Sequence, residues 1–466
     1  MSSIHDTICA IATPNGLGAQ GTIKISGNNA LSIAEKIFFP FKKDCAVMDL
    51  PPYSATYGWI KDSMDGNSID DAMLLVMRAP HSYTGEDQVE ITCHGSPFIL
   101  SLVMKLLIQH GARLAEPGEF TRRAFMNGKM DLSQAESVAD LIASTNQAAL
   151  RLSLTQMKGL FRKKIEGLRE QLIHFASLIE LELDFSEEDV EFVSRDELQE
   201  KCAIIIDEVG KLADSYETSQ VIKHGIPIAI VGSTNAGKST LLNGLLQEEK
   251  AIVSDIHGTT RDVIEDTLFI EGQQFRIIDT AGIRQTDDQI ENIGIERALS
   301  RASNADHILW MIDATEDVCN LNDLYQILSP YSEKITPVVN KIDIASGENI
   351  SAIKQRLSKW GFEKVLTISA NTTTGIDAVR TLLHNHFKHI TVANDQIMVT
   401  NLRQAEALRK ARESLQCVSQ GISLGLTGDL IAQDLRSAIS SLGEVTGSIT
   451  TDDLLQNIFS HFCIGK

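Results

Sequence analysis

What this chain of 466 residues has little of narrows its identity first. No apolar run approaches the ~18 residues that suggest a membrane span. The opening Met-Ser-Ser-Ile-His-Asp lacks the basic stretch and apolar core of a secretory signal. Seven cysteines, at 9, 45, 93, 202, 319, 417 and 463, are scattered and never form Cys-x-x-Cys. An odd, unclustered set speaks against a disulfide framework and a zinc site, so a reducing, cytoplasmic setting is expected. Positive charge is short as well: 42 Lys and Arg face 62 Asp and Glu, a net charge of −20. Phosphate contacts dominate affinity for nucleic acid, so an RNA substrate would demand a local basic patch or a basic partner.

Proline is scarce and unevenly placed. Seven of the ten prolines fall at or before Pro117, none lies between Pro117 and Pro227, and none follows Pro337. Because proline breaks helix interiors, the two long proline-free stretches are the natural helical candidates. Residues 1–117 read as mixed α/β, with β-rich runs at Gly21–Ile25 and Val89–Thr92 and a helical pattern at Pro97–Gln109. Residues 121–215 read as long helices, with Leu198, Cys202, Ile205, Val209 and Leu212 on one face. Within them, 180–200 holds ten acids against one base, Arg195, and reads as a solvated acidic loop.

From Gly225 short β-branched runs alternate with helices: Ile226–Val231, Phe275–Ile278, His307–Ile312, Thr336–Val339 and Val365–Ile368. That alternation predicts a doubly wound, mostly parallel sheet. Residues 385–466 turn helical again, with Leu402, Ala405, Leu408, Leu415 and Val418 as one stripe. The expected division is 1–120, 121–215, 216–384 and 385–466, the third part inserted between two helical stretches that pack as one bundle.

The strand Ile226–Val231 runs into Gly232-Ser233-Thr234-Asn235-Ala236-Gly237-Lys238-Ser239-Thr240 and then a helix beginning at Leu241. This is the G-x-x-x-x-G-K-[ST] phosphate loop in its strand–loop–helix setting. Its glycines turn backbone N–H groups onto phosphates, and the helix start adds a positive dipole end. Lys238 is expected to reach the β- and γ-phosphates, and the Ser239 hydroxyl to ligate Mg²⁺. Asp279-Thr280-Ala281-Gly282 follows a strand, where an Asp suits the metal's water shell and Gly282 the γ-phosphate. Between them lies Gly258-Thr259-Thr260-Arg261-Asp262, whose threonine offers a second hydroxyl to Mg²⁺.

Asn340-Lys341-Ile342-Asp343 ends another strand. A carboxylate accepts from both N1–H and the exocyclic amine of guanine, a donor pair adenine lacks, so Asp343 is expected to select GTP. Asn340 braces the loop, and Ser369-Ala370 suits the backbone contact to guanine O6. The position after Asp-x-x-Gly, where many GTPases carry a water-orienting glutamine, is Ile283. No arginine finger is evident within the chain, so the charge-stabilising group must come from elsewhere.

Taken in order, the phosphate loop, Gly-Thr-Thr-Arg-Asp, Asp279–Arg284, Glu291–Arg297 and the terminal Cys463-Ile464-Gly465-Lys466 resemble the MnmE (TrmE) family of tRNA-modification GTPases. The N-terminal half agrees through Asp6-Thr7-Ile8, Ala12-Thr13-Pro14, Ile25-Ser26-Gly27, Tyr83-Thr84-Gly85-Glu86-Asp87, His94-Gly95 and Pro117–Thr121. The resemblance implies an N-terminal α+β folate-binding and dimerisation domain, and a P-loop GTPase domain inserted in an α-helical domain. It implies a homodimer working in the cytoplasm with the FAD-holding flavoprotein MnmG on tRNA. Together they would add an aminomethyl-type group, such as carboxymethylaminomethyl, to carbon 5 of the wobble uridine. A tetrahydrofolate derivative (5-formyl- or methylene-tetrahydrofolate) would supply the one-carbon unit.

The resemblance also implies residue roles. Asn235 matches a K⁺ ligand that replaces an arginine finger, completed by the backbone carbonyls of Ser254 and Ile256 and by Thr259. Nucleotide contacts extend over Ser254, Asp255, Ile256, His257, Gly258, Thr259 and Thr260, with Thr260 beside Ser239 on Mg²⁺. Glu291 matches the catalytic acid, Cys463 a functional thiol, and Lys24, Glu90, Lys129 and Lys466 the folate positions. Lys24 stands where many members have Arg, and Thr234 where many have Pro. A ribosome-assembly GTPase switch stays open at this point, although no basic RNA-binding module follows the GTPase segment. A folate-dependent one-carbon enzyme with a vestigial GTPase domain fails, because all the nucleotide motifs are intact.

Overall fold

The computed structural model describes residues 6–42, 46–62, 66–184, 194–247, 266–278, 303–388 and 396–448, together with 455, 458–460, 462 and 465. These fall into two compact units. One comprises Met1–Ala143, Ser153–Ala213 and Ile397–Lys466, and the other Ser144–Leu152 and Asp214–Gln396.

The first unit opens with a seven-stranded sheet. Its strands are β1 (Ile8–Ile11), β2 (Gln20–Ser26), β3 (Phe38–Pro40), β4 (Ser54–Lys61), β5 (Ser68–Met77), β6 (Gln88–His94) and β7 (Arg113–Leu114). They lie in the order β3-β4-β5-β6-β2-β1-β7, antiparallel except for the β1–β7 pair. Period-two alternation decides the faces. Ile23, Ile25, Ile60, Leu74, Val76, Val89 and Ile91 point to one side and pack against helices Ala30–Ile37 and Pro97–Gln109. The alternate residues form the other face. One of its rows reads Ala55, Leu75, Glu90, Lys24 and Ala10 across β4, β5, β6, β2 and β1, and the next reads Tyr57, Met73, Thr92 and Thr22. Toward β1 that face is covered, since Ile8 and Ala10 cluster with Ala115, Phe120 and the partly buried Tyr83. Toward β4 it is open: Tyr57 is 50% exposed and Met73 53%.

Helices from both ends of the chain complete this unit. Leu160–Asp184, Leu402–Ser423 and Gly428–Thr446 pack together, and the Arg403 guanidinium grips the Glu136 carboxylate through two bonds of 2.8 and 2.9 Å. Gln404 adds a third donor to Glu136 at 2.7 Å, so the buried carboxylate is satisfied across a sequence gap that no local pattern encodes. Leu198, Cys202, Ile205, Val209 and Leu212 are all buried, as their spacing requires. Two expectations need correction. Helices extend through Asp184 and resume at Arg195, so the acidic stretch is helical at both ends, with 185–193 outside the described residues. Helix favours Glu and Leu strongly enough that acidity alone is no loop signal. Leu402 is 49% exposed while Ala405, Leu408, Leu415 and Val418 are buried. As the first helical residue after the Asn401 cap, it precedes the turn that meets the core.

The second unit holds a six-stranded sheet of β8 (Ile226–Gly232), β9 (Asp266–Ile270), β10 (Gln273–Ile277), β11 (His307–Asp313), β12 (Ile335–Asn340) and β13 (Leu366–Thr367). The order is β13-β12-β11-β8-β10-β9, parallel throughout except for the β9–β10 hairpin. Both faces are covered by helices, which is why the strands read as continuous apolar runs. The edge strand β9 escapes sequence reading because it lies just beyond the segment where motif residues dominate. Its Glu271-Gly272 turn, with φ of 50° and 79°, is the two-residue hairpin geometry. Strand order reverses beside β8, so its carboxyl end is the position where α/β sheets bind ligands.

Candidate nucleotide site

The loop leaving β8 lies at that position. Asn235 and Gly237 take left-handed φ of 64° and 92°, and the helix Lys238–Gln247 follows at once. The helix therefore begins three residues before Leu241, the expected start, and Lys238 and Ser239 occupy its first turn. Gly-Lys-Ser has no apolar periodicity, so the pattern hides this turn. The Lys238 ammonium donates to the carbonyls of Gly232 and Ser233 at 2.8 and 2.7 Å, which bends the chain end of β8 around it. Ala236 is fully buried, whereas Asn235 and Thr240 are exposed.

Asn340, at the end of β12 and 2% exposed, joins three parts of the sequence. Its Nδ2 donates to the Ala236 carbonyl at 2.8 Å, and its Oδ1 accepts from the Ala370 N–H at 2.9 Å. A Cβ added to Gly237 would lie 2.1 Å from Asn340 Nδ2, so this close approach requires glycine. The phosphate loop, the Asn340–Asp343 turn and Ser369-Ala370 thus meet around one amide. Ser369 is buried and is bridged to Thr374, which closes the third loop.

Lys341 follows with φ of 64°, and its carbonyl accepts from the N–H groups of Ile344 and Ala345 at 3.2 Å each. Asp343 sits inside that turn with its side chain exposed. The Lys341 ammonium pairs with Asp313 at 2.6 Å, and the other Asp313 oxygen accepts from the Thr315 N–H and hydroxyl at 2.8 and 2.7 Å. Burial pushes the Asp313 carboxyl up, but the bonds from Lys341 and Thr315 outweigh it and hold the group below the usual carboxylate range. Ser233 in the phosphate loop donates to the Glu316 carboxylate at 3.2–3.3 Å. Sequence reading missed Asp313, Thr315 and Glu316. The available signal was an Asp closing a β-strand at the carboxyl edge of the sheet.

The positions expected to bind folate divide. Lys24 and Glu90 are directly opposite on β2 and β6, 3.9 Å apart, and Gln88 donates to Glu90 at 3.2 Å. Lys129 instead donates to the Pro80 carbonyl at 2.9 Å, with its alkyl chain against the Gly85 turn. The N-terminal signature residues converge on a buried ionic network. Arg123, 5% exposed, donates to Asp6, Glu86 and Glu119 at 2.7, 3.2 and 3.0 Å. Arg113 donates to Asp6 and Glu119 at 2.7 Å each, and Ser26 to Glu86 at 2.8 Å. Ser254, Asp255, Ile256, His257, Gly258, Thr259, Thr260, Asp279, Thr280, Ala281, Gly282, Glu291, Cys463 and Lys466 lie outside the described residues.

Two family models match the chain. A family model described as the GTP-binding protein TrmE N-terminus matches residues 7–129, and one described as the MnmE helical domain matches 132–463. The tRNA modification GTPase MnmE of Bacteroides thetaiotaomicron is 48% identical over 467 residues, covering 99% of this chain and 100% of the relative. That of Parabacteroides distasonis is 48% identical over 463 residues with the same coverage, and that of Christiangramia forsetii 46% over 477 residues, again 99% and 100%. With family models spanning both ends and relatives similar from end to end, the chain belongs to the MnmE (TrmE) family of tRNA modification GTPases.

Proposed function

We propose that this tRNA modification GTPase hydrolyses GTP at the loop cluster around Asn340, within a complex that adds an aminomethyl-type group to carbon 5 of the wobble uridine. The observation that carries the nucleotide reading is the double hydrogen bond of Asn340, which holds the phosphate loop, the Asp343 turn and Ser369-Ala370 together. A phosphate cradle and a base-reading carboxylate are useful only when fixed relative to one another. Lys238 and the first-turn N–H groups suit the phosphates. Ser239 and Thr260 would hold Mg²⁺, which would supply charge neutralisation at the β- and γ-oxygens. Asn235, with Ser254, Ile256 and Thr259, would hold K⁺ where other GTPases receive an arginine. Glu291 would orient the attacking water, a role that Ile283 cannot perform.

A tetrahydrofolate derivative as one-carbon donor is supported by the Lys24–Glu90 pair, which shares a sheet face with the exposed Tyr57 and Met73. A carboxylate accepts from pterin N–H groups, and an aromatic ring and a thioether on the same face suit a heteroaromatic ring. Lys129 and Lys466 would serve its glutamate tail, and Cys463 is a thiol of proposed function near the chain end. The chain would act as a homodimer with a flavoprotein of the MnmG type that carries FAD, and the net charge of −20 favours leaving much of the tRNA contact to that partner. A cytoplasmic location is proposed with it. Among the described residues no helix is long and apolar enough to cross a membrane.

Mass spectrometry of wobble nucleosides from a deletion strain tests this reading. Loss of carboxymethylaminomethyl-type uridines, restored by the intact gene, is expected. An unchanged nucleoside profile would overturn it.

A further inference from the structure

We infer that Asp313 is a positioning residue for base recognition, acting through Lys341 to fix the turn that presents Asp343. This rests on the proposed guanine-nucleotide site and adds to it a residue that no phosphate-loop or base-loop motif contains. Asp313 closes β11, and its backbone partner in register on β12 is Asn340, so the two loop anchors are adjacent strand ends. The Asp313 side chain is 5% exposed, and each carboxylate oxygen is engaged: one by the Lys341 ammonium, the other by both donors of Thr315. The carboxylate therefore has one orientation, set by its own neighbours, before it meets Lys341.

Lys341 needs such a hold. A non-glycine residue at φ 64° sits in a costly backbone region and persists only where surrounding contacts over-determine it. Three contacts do so here: the Asn340 anchor before it, the two N–H groups on its carbonyl, and the ion pair on its side chain. The first two hold the chain before Lys341 and its carbonyl, but not its side chain. The ion pair ties the turn's outer limb to β11. Asp343 stands two residues on, within the span whose N–H groups return to the Lys341 carbonyl. Releasing the pair would let Asp343 move relative to the bound base while the phosphate loop stays in place, so nucleotide affinity falls and chemistry at the phosphates does not.

The experiment measures GDP and GTP dissociation constants and saturated turnover for the full chain, its Asp313→Asn variant and its Asp313→Glu variant. A charge-assisted bond of this kind corresponds to about 10- to 100-fold in an equilibrium constant. Asp313→Asn should weaken GDP and GTP by that factor with turnover at saturation within about twofold. Asp313→Glu keeps the carboxylate and should recover most of the affinity. The inference is overturned by wild-type affinity in Asp313→Asn, by equal weakening in both variants, or by a loss of saturated turnover in step with affinity. Should Asp313→Asn not accumulate as folded protein, Asp313→Ser decides: a rise in dissociation constant at constant turnover supports the role, and wild-type affinity overturns it. Failure of the unaltered chain to bind GDP would count against the nucleotide site itself, so the two readings fail separately.

Discussion

The Asn340 side chain donates to the Ala236 carbonyl 104 residues earlier in the chain, at 2.8 Å and in a fully buried setting. With the Ala370 N–H on its other side, this amide is the joint of the proposed nucleotide site. Asn340→Ala would leave a buried carbonyl and a buried N–H unpaired. Each such group costs about 1–3 kcal/mol, so the GTPase unit should lose at least about 2 kcal/mol. Nucleotide affinity should fall as well. Chemical denaturation and GDP titration check both, and an unaltered midpoint with normal affinity would refute the joint.

A second consequence concerns Arg123, which lies buried among Asp6, Glu86 and Glu119. Arg123→Met removes the cation and leaves Glu119, which is 2% exposed, with Arg113 and the Glu116 N–H as its remaining donors. Breaking a buried pair from one side typically costs about 3–5 kcal/mol. The loss should appear in urea unfolding of the N-terminal unit, while GTP turnover by the other unit is retained. Burial pushes Glu119 up, yet bonds from Arg113, the Glu116 N–H and Arg123 hold it below the usual range. Its contribution is therefore complete above the ordinary carboxylate value and is lost as pH falls through the depressed one. Arg123→Met should be less sensitive to acid in that range than the unaltered chain.

Histidine 307 sets a second pH dependence. Burial, with the neighbouring His386 ring 4.8 Å away, pushes its imidazole down to about 4. A histidine in the unfolded chain takes a proton near pH 6.5, so the unfolded state binds more protons between those values. The stability held above pH 6.5 is thus lost progressively as pH falls toward 4, by up to about 3 kcal/mol. His307→Phe should flatten that slope for the GTPase unit. Urea midpoints at intervals from pH 7.5 to 5 measure it, and an identical slope in the variant would remove His307 as the cause.

Cation dependence follows from the proposed role of Asn235. Turnover should be much faster in KCl than in NaCl at equal ionic strength, by up to ~10³-fold. Asn235→Ala should erase the difference. Equal rates of the unaltered chain in both salts would sink the potassium mechanism.

How much of this was legible in the sequence depends on the range of the interaction. Helix Pro97–Gln109 and the strands β8, β11 and β12 follow from local periodicity, because one buried face or a fully buried strand leaves its mark within a few residues. The phosphate loop is legible because close backbone approach demands glycine at fixed spacing. Contacts such as Arg403 with Glu136, 267 residues apart, leave no periodic mark. Asp313 is hidden for a related reason: an Asp at a strand end is common, and only the Lys341 ammonium at 2.6 Å distinguishes this one. Lys24 and Glu90 form a pair only once β2 and β6 are in register.

Base selection tests most directly whether the Asn340–Asp343 turn reads guanine. Dissociation constants of GDP and of xanthosine diphosphate should be measured for the full chain and for Asp343→Asn. Replacing the carboxylate with an amide exchanges an acceptor for a donor, which suits the xanthine edge and opposes the guanine edge. Loss of such a bond typically corresponds to about 10- to 100-fold. The variant should weaken GDP by that order and gain xanthosine diphosphate in return. Unchanged GDP affinity in Asp343→Asn would contradict the assignment of this turn as the guanine-reading element.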